Sequence, residues 1–550
     1  MRADPSGRVL GRRDVLIAPL VALVAVAIAT CYRSALVPTD PWHYVQGALQ
    51  FPEPTWRPAG LTRWGFLLPI IPFARLWGDA EATYYAIPLL STGVLAATLY
   101  LLGARYVART AGVAGAVLAL GTPLVFVNLT RGYTDLTATT LVAVSILLAT
   151  MAADAALDRA EAGLRWGWRV PALLVACGFT TGWSFEVRET AVFAWPVIGW
   201  ILVTIRRPLR TLAWFVPPAL AWLALDLWLC RAVYGDPLIK LRILGGADIS
   251  TSVVTSDAGY VGHDRGWYAT VMVRSIAELT GGPAILACLA VGLVGGLVLR
   301  RELGRLWAWG TLTLVLLWAQ GGALNPAHPS VRLDVARYWM SFLVPLMLVA
   351  AGTGVILLRR TWGGRRVLVA GLAGVLAVGV LGSTVRFATQ YEGFAANGGD
   401  ALGRMRDFLS RSGGVPQGSI WADWGTQRLL EAYESDPFGG PAWSAGDERS
   451  LSRLLRVRPA DPAQYPQPGD LVVIHSPDDR TCWHCRRALR PVEAAFGPFP
   501  AAGWEELMRT PTGNLVLYRL GPDVRWPVPA GAAPSGSQDP EDESDDPGAG

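Results

Sequence analysis

The sequence predicts a mainly α-helical protein that crosses a membrane many times and carries a small α/β domain near its C-terminal end. Of its 550 residues, 52% are hydrophobic and only 17% are charged, a balance that favours a bilayer over water. Apolar runs of about 14 to 21 residues recur as far as Val385, and most approach the roughly 20 residues that a helix needs to cross the hydrocarbon. This repetition predicts a polytopic bundle.

About eleven transmembrane helices are expected. They are 15–30, 84–102, 111–127, 135–151, 170–183, 190–205, 211–230, 283–299, 306–324, 338–358 and 367–385. The pair covering 170–205 carries the weakest signal, because its first member is short and the polar segment 184–189 joins the two. A re-entrant pair is the alternative, and it leaves the side of the C-terminus unchanged.

Arginine predicts the orientation, since cytoplasmic loops retain positive charge while short outer loops lose it. Pairs of arginines at 12–13, 206–207, 300–301 and 359–360 fall on the inner side if the N-terminus is cytoplasmic. The two shortest outer turns then hold only Arg131 and Arg188. Segment 1–14 is therefore expected in the cytoplasm and the C-terminal domain outside it. The net charge of +5 marks this topology and indicates no nucleic-acid partner.

Four regions follow from these patterns. After the cytoplasmic segment 1–14, residues 15–385 form the transmembrane domain, whose first outer loop contains two interfacial helices, 42–49 and 64–77. Residues 386–522 form the α/β domain, with strands expected at 420–422, 471–475 and 515–518 and a helix at 426–433. Residues 523–550 are rich in Pro, Gly and acidic residues and are predicted to be a disordered tail.

Cys482 and Cys485 form a C-x-x-C motif in the α/β domain. An oxidising outer compartment favours a local disulfide. A thioredoxin-like redox pair, or a zinc site using His484 or His475, is a weaker alternative, and the pairing stays open.

The segment Pro38-Thr39-Asp40-Pro41-Trp42-His43-Tyr44 directly follows the first span on the predicted outer side. By itself, an aspartate before proline is an ordinary helix start. Four arginines are predicted on the same face, and each one alone is explained equally well by contact with lipid headgroups. They are Arg63, Arg131, Arg188 and Arg337.

Taken together, these motifs resemble the GT-C superfamily of membrane glycosyltransferases, which includes protein O-mannosyltransferases and bacterial aminoarabinose transferases. Asp40 follows the first span, an aromatic residue stands four places on, and a long amphipathic loop comes next. Thr62-Arg63-Trp64-Gly65, followed by prolines 69 and 72, is similar to the family's second interfacial helix. Asp135 resembles a second acidic position, and Arg337-Tyr338 resembles the pair that begins a late span. The likeness extends over 15–385 and implies a GT-C-like bundle.

The resemblance implies an enzyme of the extracytoplasmic face of the plasma membrane that uses a polyprenyl-phosphate-linked sugar as donor. Asp40 would take the proton of the acceptor hydroxyl, giving inversion at the anomeric carbon, and the four outer arginines would hold the donor phosphate. Five further residues are candidates for substrate binding: His43, Tyr44, Asp135, Glu189 and Tyr338. The acceptor, a lipid, glycan or protein, is left open.

Several smaller interpretations remain alternatives. Arg188 and Glu189 either pair with each other or belong to the site, and Asp226 is either a site residue or a partner of Arg231. We expect no metal centre from the histidine spacing, and no cofactor, although a need for a divalent cation stays open because some superfamily members use one. The competing functions are a transporter or flippase of envelope precursors and a noncatalytic envelope scaffold.

Overall fold

Helices make up most of the described chain, as predicted. The computed structural model describes residues 10–53, 63–205, 207–244, 260–391, 393–412, 420–442, 451–453, 467–475 and 503–523. The first sixteen helices are α1 (Arg12–Cys31), α2 (Asp40–Gln50), α3 (Trp64–Trp77), α4 (Glu81–Tyr106), α5 (Arg109–Leu120), α6 (Pro123–Asn128), α7 (Thr134–Glu161), α8 (Arg169–Val187), α9 (Trp195–Val203), α10 (Pro208–Tyr234), α11 (Ile239–Leu244), α12 (Arg265–Glu278), α13 (Gly282–Val298), α14 (Arg300–Trp318), α15 (Met340–Arg360) and α16 (Gly364–Gln390).

Seven of the described helices are long and apolar enough to cross a bilayer: α1, α4, α7, α8, α10, α15 and α16. Every predicted span overlaps a helix, but α5 and α13 are shorter, and the Glu189–Val203 segment joins a 3₁₀ turn, Glu189–Ala194, to α9. The count of eleven crossings therefore stays a prediction.

The predicted span 111–127 is wrong as one continuous helix. The chain leaves the helical conformation between α5 and α6, where Thr122 is extended with φ −73° and ψ 129°. Pro123 causes the break, because its ring disfavours the helical conformation for the residue before it, and it has no N–H to continue the hydrogen-bond ladder.

Burial identifies α7 as the central helix of the bundle. Within its most apolar stretch 83% of residues are buried, against 11% in α16 and 17% in α1. Close helix contacts support this packing. A Cβ at Gly112 of α5 would lie 2.3 Å from the Tyr100 carbonyl oxygen of α4. Only glycine lets these two backbones approach so closely.

The C-terminal part contains α17 (Ala401–Arg411), α18 (Trp424–Tyr433) and a five-stranded sheet. The strands are β1 (Ile420–Ala422), β2 (Leu451–Arg453), β3 (Leu471–His475), β4 (Trp504–Arg509) and β5 (Leu515–Leu520), in the order β2-β1-β3-β5-β4. Strands β2 and β3 run parallel to β1, and β5 runs antiparallel to β3 and β4. The predicted α/β content is confirmed. Cys482, Cys485, His484 and the tail 524–550 lie outside the described residues.

The sheet is apolar on both faces. Leu471, Val473 and Leu517 belong to a cluster that also contains buried residues of α17, α18, α2 and α3. Val472 and Tyr518 alternate with them and belong to a separate cluster on the other face. The C-terminal domain is thus continuous with the first loop of the membrane domain.

Ion pairs fix this contact. Arg406 of α17 donates to Glu81 at the start of α4 over 2.5 Å, and both side chains are buried. Arg33, just after α1, pairs with Asp400 at 3.2 Å. The Ala82 amide also donates to the Pro437 carbonyl at 2.9 Å.

We expect Arg406→Met to loosen the C-terminal domain, because it leaves the Glu81 carboxylate buried without its cation. Breaking a buried pair in this way costs about 3 kcal/mol or more. Limited proteolysis of the purified protein should release the C-terminal domain faster, and its thermal transition should fall. Arg509→Met is the matched control, since Arg509 pairs with Glu506 on the exposed surface. Equal protease resistance of the two variants would contradict this prediction.

Candidate active site

Asp40 is the first residue of α2 and lies beside Arg337, which precedes α15. Pro41 starts the helix directly after it. The Arg337 Nη2 atom is 3.2 Å from the Asp40 Oδ2 atom. Burial alone would raise the pKa of Asp40, but Arg337 first and Arg63 second hold the pKa of that carboxyl below its usual value. Asp40 is therefore an ionised carboxylate at neutral pH.

Asp135, in the first turn of α7, lies between two guanidinium groups. Its Oδ1 atom is 3.2 Å from the Arg188 Nε atom, and its Oδ2 atom is 3.8 Å from the Arg337 Nε atom. All three side chains are about nine-tenths buried. This carboxylate holds both arginines in place, while its substrate-binding role stays a prediction.

Aromatic rings flank the same two arginines. The Arg188 guanidinium lies 4.3 Å from the centre of the Tyr338 ring, and Arg337 lies 4.2 Å from that of Tyr133. The planar guanidinium groups are thus held over ring faces, which favours a fixed orientation. Tyr338 was predicted in the site, whereas Tyr133 was missed although it stands two residues before Asp135.

Arg63 and Glu189 complete the cluster from α3 and from the 3₁₀ turn after α8. The Arg63 Nε atom is 3.5 Å from the Glu189 Oε1 atom, and its Nη1 atom donates to the Tyr44 hydroxyl at 2.8 Å. The suggested pairing of Arg188 with Glu189 is wrong. Arg188 has an extended backbone, with φ −156° and ψ 125°, so the two neighbouring side chains point to different sides.

The cluster is electrically balanced. It contains Arg63, Arg188 and Arg337 on one side and Asp40, Asp135 and Glu189 on the other. Burial opposes ionisation of Glu189, but Arg63 and Arg188 lower the pKa of Glu189 below its usual value. Because opposite charges alternate, six ionised groups remain stable in a buried place.

Two predicted residues lie at the margin of this cluster. Arg131 donates from its Nη2 atom to the Tyr391 hydroxyl at 2.9 Å. His43 is mostly buried, and burial first, then the nearby Arg428, lowers the pKa of His43 to about 4. The imidazole is therefore neutral at pH 7. The structure thus places His43 near Asp40 and Arg131 against Tyr391. The phosphate-binding role of Arg131 and the substrate-binding role of His43 stay predictions.

A narrow cavity lies beside Arg188. Its polar wall includes Asp135, Tyr338 and Ser341, and its apolar wall includes Val142 and Trp309. The cavity therefore joins the charged cluster to an apolar surface between α7, α14 and α15.

A second buried ion cluster was missed by the sequence analysis. Lys240 of α11, the sole lysine of the chain, donates to Glu186 in the last turn of α8 and lies 3.3 Å from Asp226 of α10. Burial disfavours the ammonium, but the two carboxylates raise the pKa of Lys240 above its usual value. Asp226 therefore pairs with Lys240 and not with Arg231. The sequence did contain a signal for this cluster, because a single lysine stands among its 48 lysine and arginine residues.

This second cluster is linked to the first by neighbouring residues of the chain, by close packing and by a hydrogen bond. Glu186 precedes Arg188 by two residues, and a Cβ at Gly65 would lie 2.7 Å from the Glu186 backbone. The Trp64 indole donates to the Cys230 thiol at 3.3 Å, one turn beyond Asp226. Through Glu186 and Asp226, Lys240 thus helps to hold the backbone segments of Arg63 and Arg188 next to each other.

Among the described residues, no three His, Cys, Asp or Glu side chains are grouped to hold a metal ion. A divalent cation would have to share the carboxylates of the ion cluster, each of which already has a guanidinium partner. The requirement for a cation stays an open prediction.

Neither a family model nor a curated protein sequence matches the chain. Among solved structures, ArnT from Cupriavidus metallidurans in the apo state aligns over 93% of this chain and 99% of its own, with a TM-score of 0.50 at 12% sequence identity. ArnT bound to undecaprenyl phosphate also gives a TM-score of 0.50, at 14% identity over 92% of this chain and 97% of its own. The chain has the fold of ArnT.

ArnT is an aminoarabinose transferase of the GT-C superfamily, so the predicted resemblance is confirmed at the level of the fold. With its apolar helices, this fold makes the chain a multi-pass membrane protein. A weaker match is the Archaeoglobus fulgidus oligosaccharyltransferase AglB in complex with an inhibitory peptide and a dolichol-phosphate. It has a TM-score of 0.41 and 13% identity over 79% of this chain and 65% of its own.

We expect Lys240→Met to destabilise the protein, because it leaves Glu186 and Asp226 buried together without a cation. The cost for such a buried cluster is about 3 to 5 kcal/mol. The loss of stability should appear as a lower unfolding temperature in detergent. The exchange Lys240→Glu with Glu186→Lys retains the three charges and should recover much of it. Arg242→Met on the same helix is the control, since Arg242 is exposed. A Lys240→Met protein as stable as this control would refute the role of the ion cluster.

Proposed function

We propose that this protein is an inverting glycosyltransferase that moves a sugar from a polyprenyl-phosphate-linked donor to an acceptor outside the cytoplasm. The observation that carries the proposal is the ion cluster of Asp40 with Arg63, Arg188 and Arg337. In this topology the N-terminus is cytoplasmic and the C-terminal domain extracytoplasmic. The acceptor class is a lipid, a glycan or a protein.

Unused hydrogen-bond donors support phosphate binding. The Nε atoms of Arg63, Arg131 and Arg337 are buried and have no hydrogen-bond acceptor among the described residues. Buried donors are normally satisfied, and guanidinium groups bind phosphate oxygens through strong charge-assisted bonds. A donor phosphate in this cluster would supply the acceptors. This is also the reason to retain Arg131 as a phosphate-binding residue.

The chemistry needs a proton acceptor and stabilisation of the leaving group. The acceptor oxygen would attack the anomeric carbon while its proton passes to the Asp40 carboxylate. The bond from that carbon to the phosphate oxygen breaks, and its electron pair stays on the phosphate, where the arginines neutralise it. Attack from the face opposite the phosphate gives inversion. A phosphate that competes for Arg337 would also release the Asp40 carboxylate for this task.

The apolar surface beside the arginines is where we place the lipid part of the donor. The cavity beside Arg188 continues into an apolar wall formed by Ala138, Val142 and Trp309. A carrier whose phosphate lies among the arginines would direct its first prenyl units along such a surface. ArnT, which shares the fold, has a structure with undecaprenyl phosphate bound.

A transporter or flippase is the alternative, and the Lys240 cluster is the observation that favours it. Ionisable side chains buried between spans often mark the pathways of transported ions or substrates. Accumulation of cargo in sealed vesicles, without formation of a glycoside, would support this alternative over the transferase.

We expect Asp40→Asn to lower sugar transfer by about 10² to 10⁴-fold, the usual contribution of a general base. The asparagine amide cannot accept the proton. Because it has nearly the same shape as the carboxylate, the amount of protein in the membrane should not change. Transfer is measured in membranes by mass spectrometry of lipid and envelope extracts, with the carrier-linked sugar building up in the variant.

Asp264→Asn is the matched control. Asp264 caps α12, its Oδ1 atom accepting from the Trp267 amide at 2.7 Å, and asparagine caps a helix equally well. If Asp40→Asn membranes transfer sugar as fast as these control membranes, Asp40 is not the base and the assignment fails.

A further inference from the structure

Helix α18 of the C-terminal domain lies on the beginning of α2, next to Asp40. The Arg428 guanidinium lies 4.4 Å from the centre of the Trp42 ring. Its Nη1 atom donates to the Pro38 carbonyl at 3.3 Å. Residues of both helices also belong to one apolar cluster, which contains Tyr44, Leu429 and Leu430. The C-terminal domain thus forms a wall of the region around Asp40.

Both of these segments carry buried polar atoms that make no hydrogen bond to the described residues. The Thr39 hydroxyl and the Trp42 indole N–H belong to the start of α2, and the Gln427 amide oxygen stands next to Arg428 on α18. All three atoms are buried and have no hydrogen-bond partner among the described residues. Thr39 is only 9% exposed. Folded proteins rarely leave such atoms unsatisfied, so a partner from outside the chain, either ordered water or a ligand, is expected to satisfy them.

The kinds of atom identify the ligand chemistry. The indole N–H only donates, the amide oxygen only accepts, and the threonine hydroxyl does both. Phosphate oxygens would leave the Gln427 oxygen unsatisfied, and a cation would leave the Trp42 N–H unsatisfied. Sugar hydroxyls both donate and accept, and a sugar ring presents several of them in a row. The mixture of donors and acceptors therefore matches a carbohydrate.

We propose that the contact between α2 and α18 is a subsite for sugar hydroxyls, formed by Thr39, Trp42 and Gln427. This inference rests on the proposed function and deepens it, because Thr39 directly precedes Asp40. A sugar held here lies beside the carboxylate that takes the acceptor proton. Its hydroxyls belong either to the donor sugar or to a saccharide acceptor, two sources with the same chemistry.

The test uses Thr39→Val and Gln427→Met, which remove the polar atoms and nearly keep the side-chain volumes. Thr353→Val is the control. The Thr353 hydroxyl of α15 is also buried without a hydrogen-bond partner among the described residues, but it packs against Gly295 of α13. Binding to the full-length protein in detergent is measured for bare undecaprenyl phosphate and for a panel of undecaprenyl-phosphate-linked hexoses and pentoses.

If the subsite holds the donor sugar, the best sugar-bearing carrier binds the wild type more tightly than the bare carrier does. Each site variant then reduces this advantage by about fivefold, the effect of one lost uncharged hydrogen bond. Affinity for the bare carrier stays constant. If the subsite holds the acceptor, the donor advantage persists and the KM for a saccharide acceptor rises by a similar factor. Either result supports the subsite.

The subsite is overturned if both variants behave like Thr353→Val in both measurements, a result that would leave only water in this contact. It is also overturned if no sugar-bearing carrier binds the wild type better than the bare carrier and no saccharide acceptor is used. The proposed function is judged separately by Asp40→Asn. If Asp40→Asn loses sugar transfer while Thr39→Val and Gln427→Met bind carrier and acceptor like the control, the subsite is refuted and the proposed function stands.

Discussion

The site depends on one electrostatic constraint: buried arginines must be compensated by carboxylates at fixed distances. Asp135 meets this constraint for two of them, since its two oxygens face Arg188 and Arg337. An isolated buried charge costs several kcal/mol. The start of α7, the segment before α15 and the segment after α8 therefore stay together, because separating them would leave a buried charge without its partner. This balance keeps the arginine and carboxylate side chains ionised and in fixed positions.

The second ion cluster extends the same principle to the supporting helices. Lys240 compensates Glu186 and Asp226, and through them it fixes the ends of α8 and α10 against the beginning of α3. A compact ammonium with three donors suits two converging carboxylates, whereas a planar guanidinium presents its donors in a rigid fork. This geometry gives a physical reason for a lysine here in a chain that otherwise uses arginine.

The C-terminal domain contributes to the site region because of where its polar contacts fall. Arg406, Asp400 and Arg428 all contact loops or helix ends near α2 and α4. These contacts orient α18 over the helix that begins with Asp40. The two parts of the chain therefore share one apolar cluster, so the C-terminal domain docks next to the proposed site.

The charged residues of the candidate site were predicted from the resemblance to a known superfamily. The sequence by itself determined the membrane class, the helix pattern, and the strands at 420–422 and 471–475. These follow from hydrophobic periodicity and from the cost of charge in lipid, which are local properties. Tertiary structure decided the pairing of Arg188 with Asp135, the partner of Asp226, the contacts of Tyr133 and Lys240, and the approach of Arg428 to the start of α2. Each depends on how distant helices pack, and side-chain partners brought together by packing leave no periodic signal in the chain.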